Sequence, residues 1–285
     1  MTTATLAALA VLLSGPGPAL LARAPALRRT PRAAMTLWQA VALAAVLSTL
    51  GAGLALVTDS TLPATESLAR YVVAVIALVV TGIVLGRMLL SGHLVGTRIR
   101  SLRRRHRELV DLLSSRQAGV HVLDHEVPVA YCLPGLRSRV VLSAGTMSRL
   151  APDELAALLA HERAHLRARH DLVLEGFTVL YEAFPRFVSS RVALAEVELL
   201  VEVLADRAAL HRTDRAPLAR ALLAVAQGRT PDAGLAAAGS SLVERVALLS
   251  DDRPHRMQAA VLFGAAILVV VLPTVVAYPW LSGLV

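Results

Sequence analysis

Residues 158–171 read LLAHERAHLRARHD. An apolar run breaks off into two histidines, His161 and His165, four residues apart with Glu162 between them. The run belongs to a longer segment, LAPDELAALLAHERAHLRARHD (150–171), with a strong helix start. Pro152 suits the first turn, where its missing N–H costs nothing. Asp153 and Glu154 follow, at the end of the helix dipole that favours negative charge. Leu155, Leu158, Leu159 and Ala160 supply an apolar side. On such a helix positions 161 and 165 share a face, with Cβ atoms about 5–6 Å apart. Two imidazoles at that separation can grip one zinc ion, and Glu162 projects near the same side, where it can take the proton of an attacking water. The competing reading is a solvated helix face of His, Glu and Arg.

A catalytic zinc needs a third protein ligand and an open position. A second helix is expected at 192–210, VALAEVELLVEVLADRAAL, where Glu198, Glu202 and Asp206 fall on one stripe. Acids along an otherwise apolar helix are costly to bury unless paired or metal-bound. We take Glu202 as the metal ligand, with Glu198 as the fallback. Asp206, one turn on, is placed to orient a ligand histidine from behind. His170 reads as a helix-end residue beside Asp171 rather than a ligand, and Cys132 as a small buried residue rather than a nucleophile; His211, just past the second helix, is a candidate for oxyanion stabilisation but reads first as a surface histidine.

The rest of the chain sets this pair of helices in a membrane. Of its 285 residues 55% are hydrophobic, and the mean hydropathy is +0.60. Four stretches are long and apolar enough to cross a bilayer, about 3–22, 35–57, 71–91 and 257–279, since a spanning helix needs about 20 mostly apolar residues. Each could instead be a buried core helix. The first is interrupted by Pro16 and Pro18 and could also be a signal peptide, but MTTATL carries no positive charge ahead of the apolar run. We therefore expect it to be a retained helix.

Arginine placement gives the orientation. Arg23, Arg28, Arg29 and Arg32 follow the first stretch, RIRSLRRRHR at 98–107 follows the third, and Arg253 and Arg256 precede the fourth. Segment 58–70 has Asp59, Glu66 and a single Arg. Short arginine-rich loops stay inside, so both termini are expected outside and the catalytic domain in the cytoplasm. The net charge of +8 then reflects topology and anionic headgroups. No direct nucleic-acid binding is expected, because the arginine run abuts a span and lacks interleaved aromatics. The single Cys132 excludes an internal disulfide framework.

The expected organisation is three transmembrane helices in 1–92, a cytoplasmic metallopeptidase domain of α+β type in 93–256, and a fourth span with a short external tail in 257–285. Within the middle part, 101–116 reads as a charged helix extending the third span. Segments 119–125, 127–132 and 139–147 read as short strands, with turn chemistry at 134–138. An apolar segment at 172–189 is broken by Pro185. A further helix is expected at 215–227, and a flexible loop at 228–240.

The segment LSAGTMSRLAPDELAALLAHERAHLRARHD, followed by EVLADRAA, resembles the gluzincin membrane metallopeptidases. In that group a glutamate of an E-x-x-x-D motif on a later helix completes the histidine pair, and Glu202 and Asp206 in EVLAD match it. The three-plus-one span pattern is similar to the BlaR/MecR-type family, whose peptidase domain lies between the third and fourth membrane helices. HtpX-type quality-control proteases share the motifs and are the second relative. The chain stops a few residues past the fourth span, without the C-terminal penicillin-binding sensor domain of BlaR/MecR receptors, so direct β-lactam recognition is not expected. The resemblance implies one Zn²⁺ per chain and a protein substrate, such as a transcriptional repressor or another regulatory protein in signal transduction. The non-enzymatic alternative is a catalytically silent membrane scaffold or signalling subunit. A transporter is disfavoured, because the spans hold almost no ionisable residues.

Overall fold

In the computed structural model the described residues are 2–58, 67–135, 138–185, 188–227, 235–251, 253 and 255–282. They fall into two compact units. The first comprises Met1–Leu94, Gly176–Val197 and His255–Val285, and the second Val95–Glu175 and Glu198–Pro254.

The first unit is helical. Helices α1 (Thr2–Ser14) and α2 (Pro16–Ala22) lead through a 3₁₀ turn at Pro25–Arg29 into α3 (Pro31–Thr58). Proline lacks an amide hydrogen and opens a helix more readily than it continues one, so the expected first span is divided at Gly15. Helix α4 runs Ser67–Leu113. Later in the chain, α7 is His170–Ala183, α8 is Ser190–Ala209 and α11 is Arg256–Ser282. Ala33, Leu37, Ala40 and Val41 of α3 pack against Leu262 and Ala266 of α11. Among the described residues, four helical segments are long and apolar enough to cross a membrane: Thr2–Ala22, Pro31–Thr58, Tyr71–Leu113 and Arg256–Trp280. The outward faces of such helices stay apolar, as at Val72, Val75, Ile76 and Val79 of α4. Arg87 is not left bare, since its guanidinium donates to the carbonyl of Ala183 at 2.6 and 3.0 Å.

The second unit is α+β. Four short strands form one sheet: β1 (Ser114–Gln117), β2 (Val120–Leu123), β3 (Ala130–Leu133) and β4 (Arg139–Ser143), in the order β1-β2-β4-β3. The β1–β2 hairpin turns at Ala118 and Gly119, both with positive φ, the backbone a two-residue primed turn requires. Strands β2 and β4 are parallel, while β3 and β4 are antiparallel with Tyr131 opposite Val141. The expected strand at 139–147 stops at Ser143, because Ser143 caps α5 (Ala144–Arg149) by accepting from the Thr146 amide at 3.1 Å. The charged helix expected over 101–116 ends at Leu113, and β1 follows.

Helix α6 (Pro152–Ala168) lies against this sheet, with Leu158 packed among Val120, Val122, Ala130, Val140 and Leu142. Its other side, at Ala157 and Ala160, packs on Leu218 and Leu222 of α9 (Arg215–Gln227). At its N-terminus, Glu154 accepts from the Ala151 amide at 3.1 Å and from Arg220 at 2.6 Å. The loop expected at 228–240 needs correction. Residues 228–234 lie outside the described residues, but Leu235–Leu249 is helix α10, whose Leu242 and Leu249 close the core against α6 and α9. The turn expected at 134–138 and the external tail also fall partly outside the described residues.

Candidate metal centre

Helix α6 carries His161, Glu162 and His165 on one side, and the part of α8 in the same unit carries Glu202 and Asp206. The Nε2 atoms of His161 and His165 are 3.1 Å apart. Glu202 Oε2 is 3.6 Å from His161 Nε2, and Glu202 Oε1 is 3.6 Å from His165 Nε2. Bonds of 2.0–2.1 Å to a tetrahedral zinc would separate neighbouring ligand atoms by roughly 3.3 Å. Two imidazole nitrogens and a carboxylate at these spacings fit one such ion. Among the described residues this is the one His/Cys/Asp/Glu group with that spacing. The fallback, Glu198, is on the exposed side of α8 and outside the group.

The back of each histidine is also engaged. His161 is 3% exposed, and its Nδ1 lies 2.9 Å from Asp206 Oδ1 along a bent approach. His165 Nδ1 lies 3.1 Å from Nδ1 of His170, and the two rings meet edge to face at 5.0 Å. With Nδ1 occupied, each imidazole turns Nε2 towards the shared point. Such outer partners fix the tautomer and the ring orientation. His170 is therefore more than a helix end. Helix α6 terminates at Arg169 in the left-handed region, φ 51°, and α7 begins at once, which brings the His170 ring back against His165.

Arg245 of α10 is a member of the site that the sequence did not reveal. Its Nε and Nη2 donate to the two oxygens of Asp206, each at 2.8 Å, and its Nη1 lies 2.9 Å from Glu202 Oε2. Asp206 is 1% exposed, so an ionised carboxylate there depends on this partner. The one advance signal was an arginine within the apolar pattern of SLVERVALL.

The charges respond to this packing. Burial pushes the His161 imidazole down, but Asp206 and Glu202 outweigh it and raise its pKa to about 9. Burial dominates at His165 and lowers it to about 4. At Glu202 burial pushes up, and nearby His161 with the charge of Arg245 overcomes it, leaving about 2. Asp206 is lowered in the same way, against burial, by Arg245 and His161. Without an ion the site therefore holds a protonated His161, a neutral His165 and two carboxylates.

Glu162 is 8% exposed. Its neighbour on β3 is Cys132, close enough for the Glu162 charge to act on the thiol. Burial, then the charge of Glu162, pushes that thiol up to about 12, which keeps it protonated and unreactive. Cys132 was expected to be buried and is half-buried; its position beside Glu162 was not foreseen. His211 is exposed in the turn after α8.

The model of Peptidase family M48 matches residues 96–252. No curated protein and no solved structure matches the chain.

Proposed function

The chain belongs to peptidase family M48, and from that premise we propose that it is a membrane-embedded, zinc-dependent endopeptidase that cleaves a regulatory protein from the cytoplasmic side. The observation that carries this reading is the convergence of His161 Nε2, His165 Nε2 and the Glu202 carboxylate beside the buried Glu162. Zinc, when held by those three, would polarise a scissile carbonyl and lower the pKa of water.

The chain's own groups do the rest. Glu162 takes the proton of the attacking water and passes it to the leaving amine. It is nearly enclosed, with Cys132 of β3 beside it. Asp206 and Arg245 hold His161 and Glu202 in register, and His170 holds His165. Strand β3 is at the edge of the sheet, paired with β4 on one side only. Its outer edge offers unpaired backbone groups to an extended peptide, whereas β4 is paired on both sides.

The three apolar segments before the peptidase region and one after it support a BlaR/MecR-type architecture and a signalling substrate such as a transcriptional repressor. The test is a Glu162→Gln strain analysed by quantitative proteomics of chain termini. Accumulation of one uncleaved regulator supports the signalling reading. Accumulation of many damaged membrane proteins supports an HtpX-type quality-control role instead. A strain indistinguishable from wild type, while a deletion is not, overturns the peptidase reading in favour of a scaffold.

A further inference from the structure

The arginine run after the third apolar stretch is not merely a diffuse charge. Arg100, Arg103, Arg104 and Arg107 recur along α4 at helical spacing, and Arg139 of β4 joins them around one cleft of about 570 Å³, floored by Pro134 and Gly135. We propose that this cleft binds a small phosphate-bearing anion, carried by a lipid headgroup or free in solution. The inference is independent of the peptidase reading.

Three of the five guanidiniums are held by carboxylates. Arg139 forms a two-pronged pair with Asp111 at 2.7 and 2.9 Å. Arg103 reaches Asp171 at 3.2 Å and Glu175 at 3.7 Å, and Arg104 reaches Glu108 at 3.0 Å. The partly buried Arg139 and Arg103 pairs hold two sides of the cleft, whereas the Arg104 pair is largely exposed. Arg100 and Arg107 have no carboxylate within 4.0 Å among the described residues. Among the described residues Arg107 donates to the Pro134 carbonyl, at 3.0 Å. Arg100 and Arg107, seven residues apart on one helix face, both line the concave space; the Arg100 guanidinium lies over Gly96 on the side of Glu175, so Arg107 is the less compensated of the two.

The loop is shaped to admit one of them. Gly135 has φ 150°, a backbone state that side chains disfavour, and a Cβ there would come within 2.7 Å of the Arg107 guanidinium. Guanidinium forks match phosphate oxygens in geometry as well as charge, and such charge-assisted bonds are about twice as strong as neutral ones. A carboxylate ligand would offer two oxygens where a phosphate offers three or four to a ring of donors.

The test uses the full-length protein in phosphatidylcholine nanodiscs. In one arm glycerol 3-phosphate is titrated by calorimetry. In the other the discs also contain phosphatidylglycerol, and retained lipid is counted by native mass spectrometry. Arg100→Gln removes a side chain with no ion pair to lose, and Arg116→Gln is the charge-matched control on the exposed β1. Arg107→Gln is the second cleft variant. We expect saturable binding in at least one arm, weakened about tenfold or more by either cleft substitution and less than about twofold by Arg116→Gln, since loss of one charge-assisted contact is local. Binding in the calorimetric arm identifies a free phosphate compound, and binding in the lipid arm alone identifies a headgroup. No saturable binding in either arm, equal loss in the control, or no loss in both cleft variants would overturn the assignment.

Discussion

Arg245 and Asp206 face each other as a two-pronged ion pair, with both nitrogen–oxygen distances at 2.8 Å and the carboxylate all but sealed from solvent. They come from α10 and α8, and the pair ties the helix with the candidate ligand Glu202 to the end of the peptidase region. Removing one partner strands a buried charge, which costs about 3 kcal/mol or more. Arg245→Met should therefore lower unfolding stability by about that amount, while the double variant Asp206→Asn/Arg245→Met should lose less than the sum of the single losses. Denaturation in detergent, followed by fluorescence, reads the cycle. Strict additivity would mean that the two side chains do not act as a pair.

The metal-free site makes a signed prediction about pH. His161 is raised to about 9, so its contribution is complete below its ordinary value of 6.5 and is lost as pH climbs through 9. His165 is depressed to about 4, so the protein loses stability as pH falls from 6.5 towards 4. Glu202, at about 2, and Asp206, also lowered, add to the loss on the acid side. The metal-free protein should be most stable near pH 6.5. Zinc added at neutral pH must displace the His161 proton, so binding should release about one proton and tighten with rising pH. Calorimetry in buffers of different ionisation enthalpy gives the proton count. Zero release at pH 7 would show that His161 is neutral in the metal-free chain.

His170 predicts a graded effect. It touches His165 through Nδ1 at 3.1 Å and is not in the ligand group. His170→Phe keeps the ring volume and removes the hydrogen bond, and zinc affinity should fall by about 10–100-fold while one ion per chain still binds. Competition with a chromophoric chelator measures it. Unchanged affinity would reduce His170 to packing.

What was legible in the sequence was local. The start of α6 at Pro152, Asp153 and Glu154 needs only neighbouring residues, and the i, i+4 spacing of His161 and His165 follows from the helix itself. The acidic stripe of α8 was legible because Glu202 and Asp206 interrupt an apolar face. The apolar helices announced themselves by length, as in Pro31–Thr58 and Arg256–Ser282. What was not legible was non-local or unadvertised. Arg245 meets Asp206 across 39 positions of chain, and its helix begins in a segment rich in Ala, Gly and Ser that reads as a loop. His170 does stand at a helix end and outside the ligand group, but its contact with His165 was not foreseen, because the turn at Arg169 places a non-glycine residue in the left-handed region, which no residue type signals. Strand β1, SSRQ, is polar and nearly all exposed, so it lacks the alternation that marks a strand.

The proposed cytoplasmic placement of the peptidase region predicts a labelling pattern. In a Cys132→Ala background, a cysteine introduced at Arg116, exposed on β1, should react with a membrane-impermeant maleimide only after cells are opened. Labelling of intact cells at Arg116 would reverse the topology.

The central claim is that His161, His165 and Glu202 together hold one metal ion. Purified wild type, His161→Ala and Glu202→Ala proteins, each checked for folding by its melting transition, should be measured for zinc by mass spectrometry. The account predicts about one zinc per chain in wild type, as a three-ligand site requires, and loss of most of it in both variants. Equal zinc in all three proteins would contradict it.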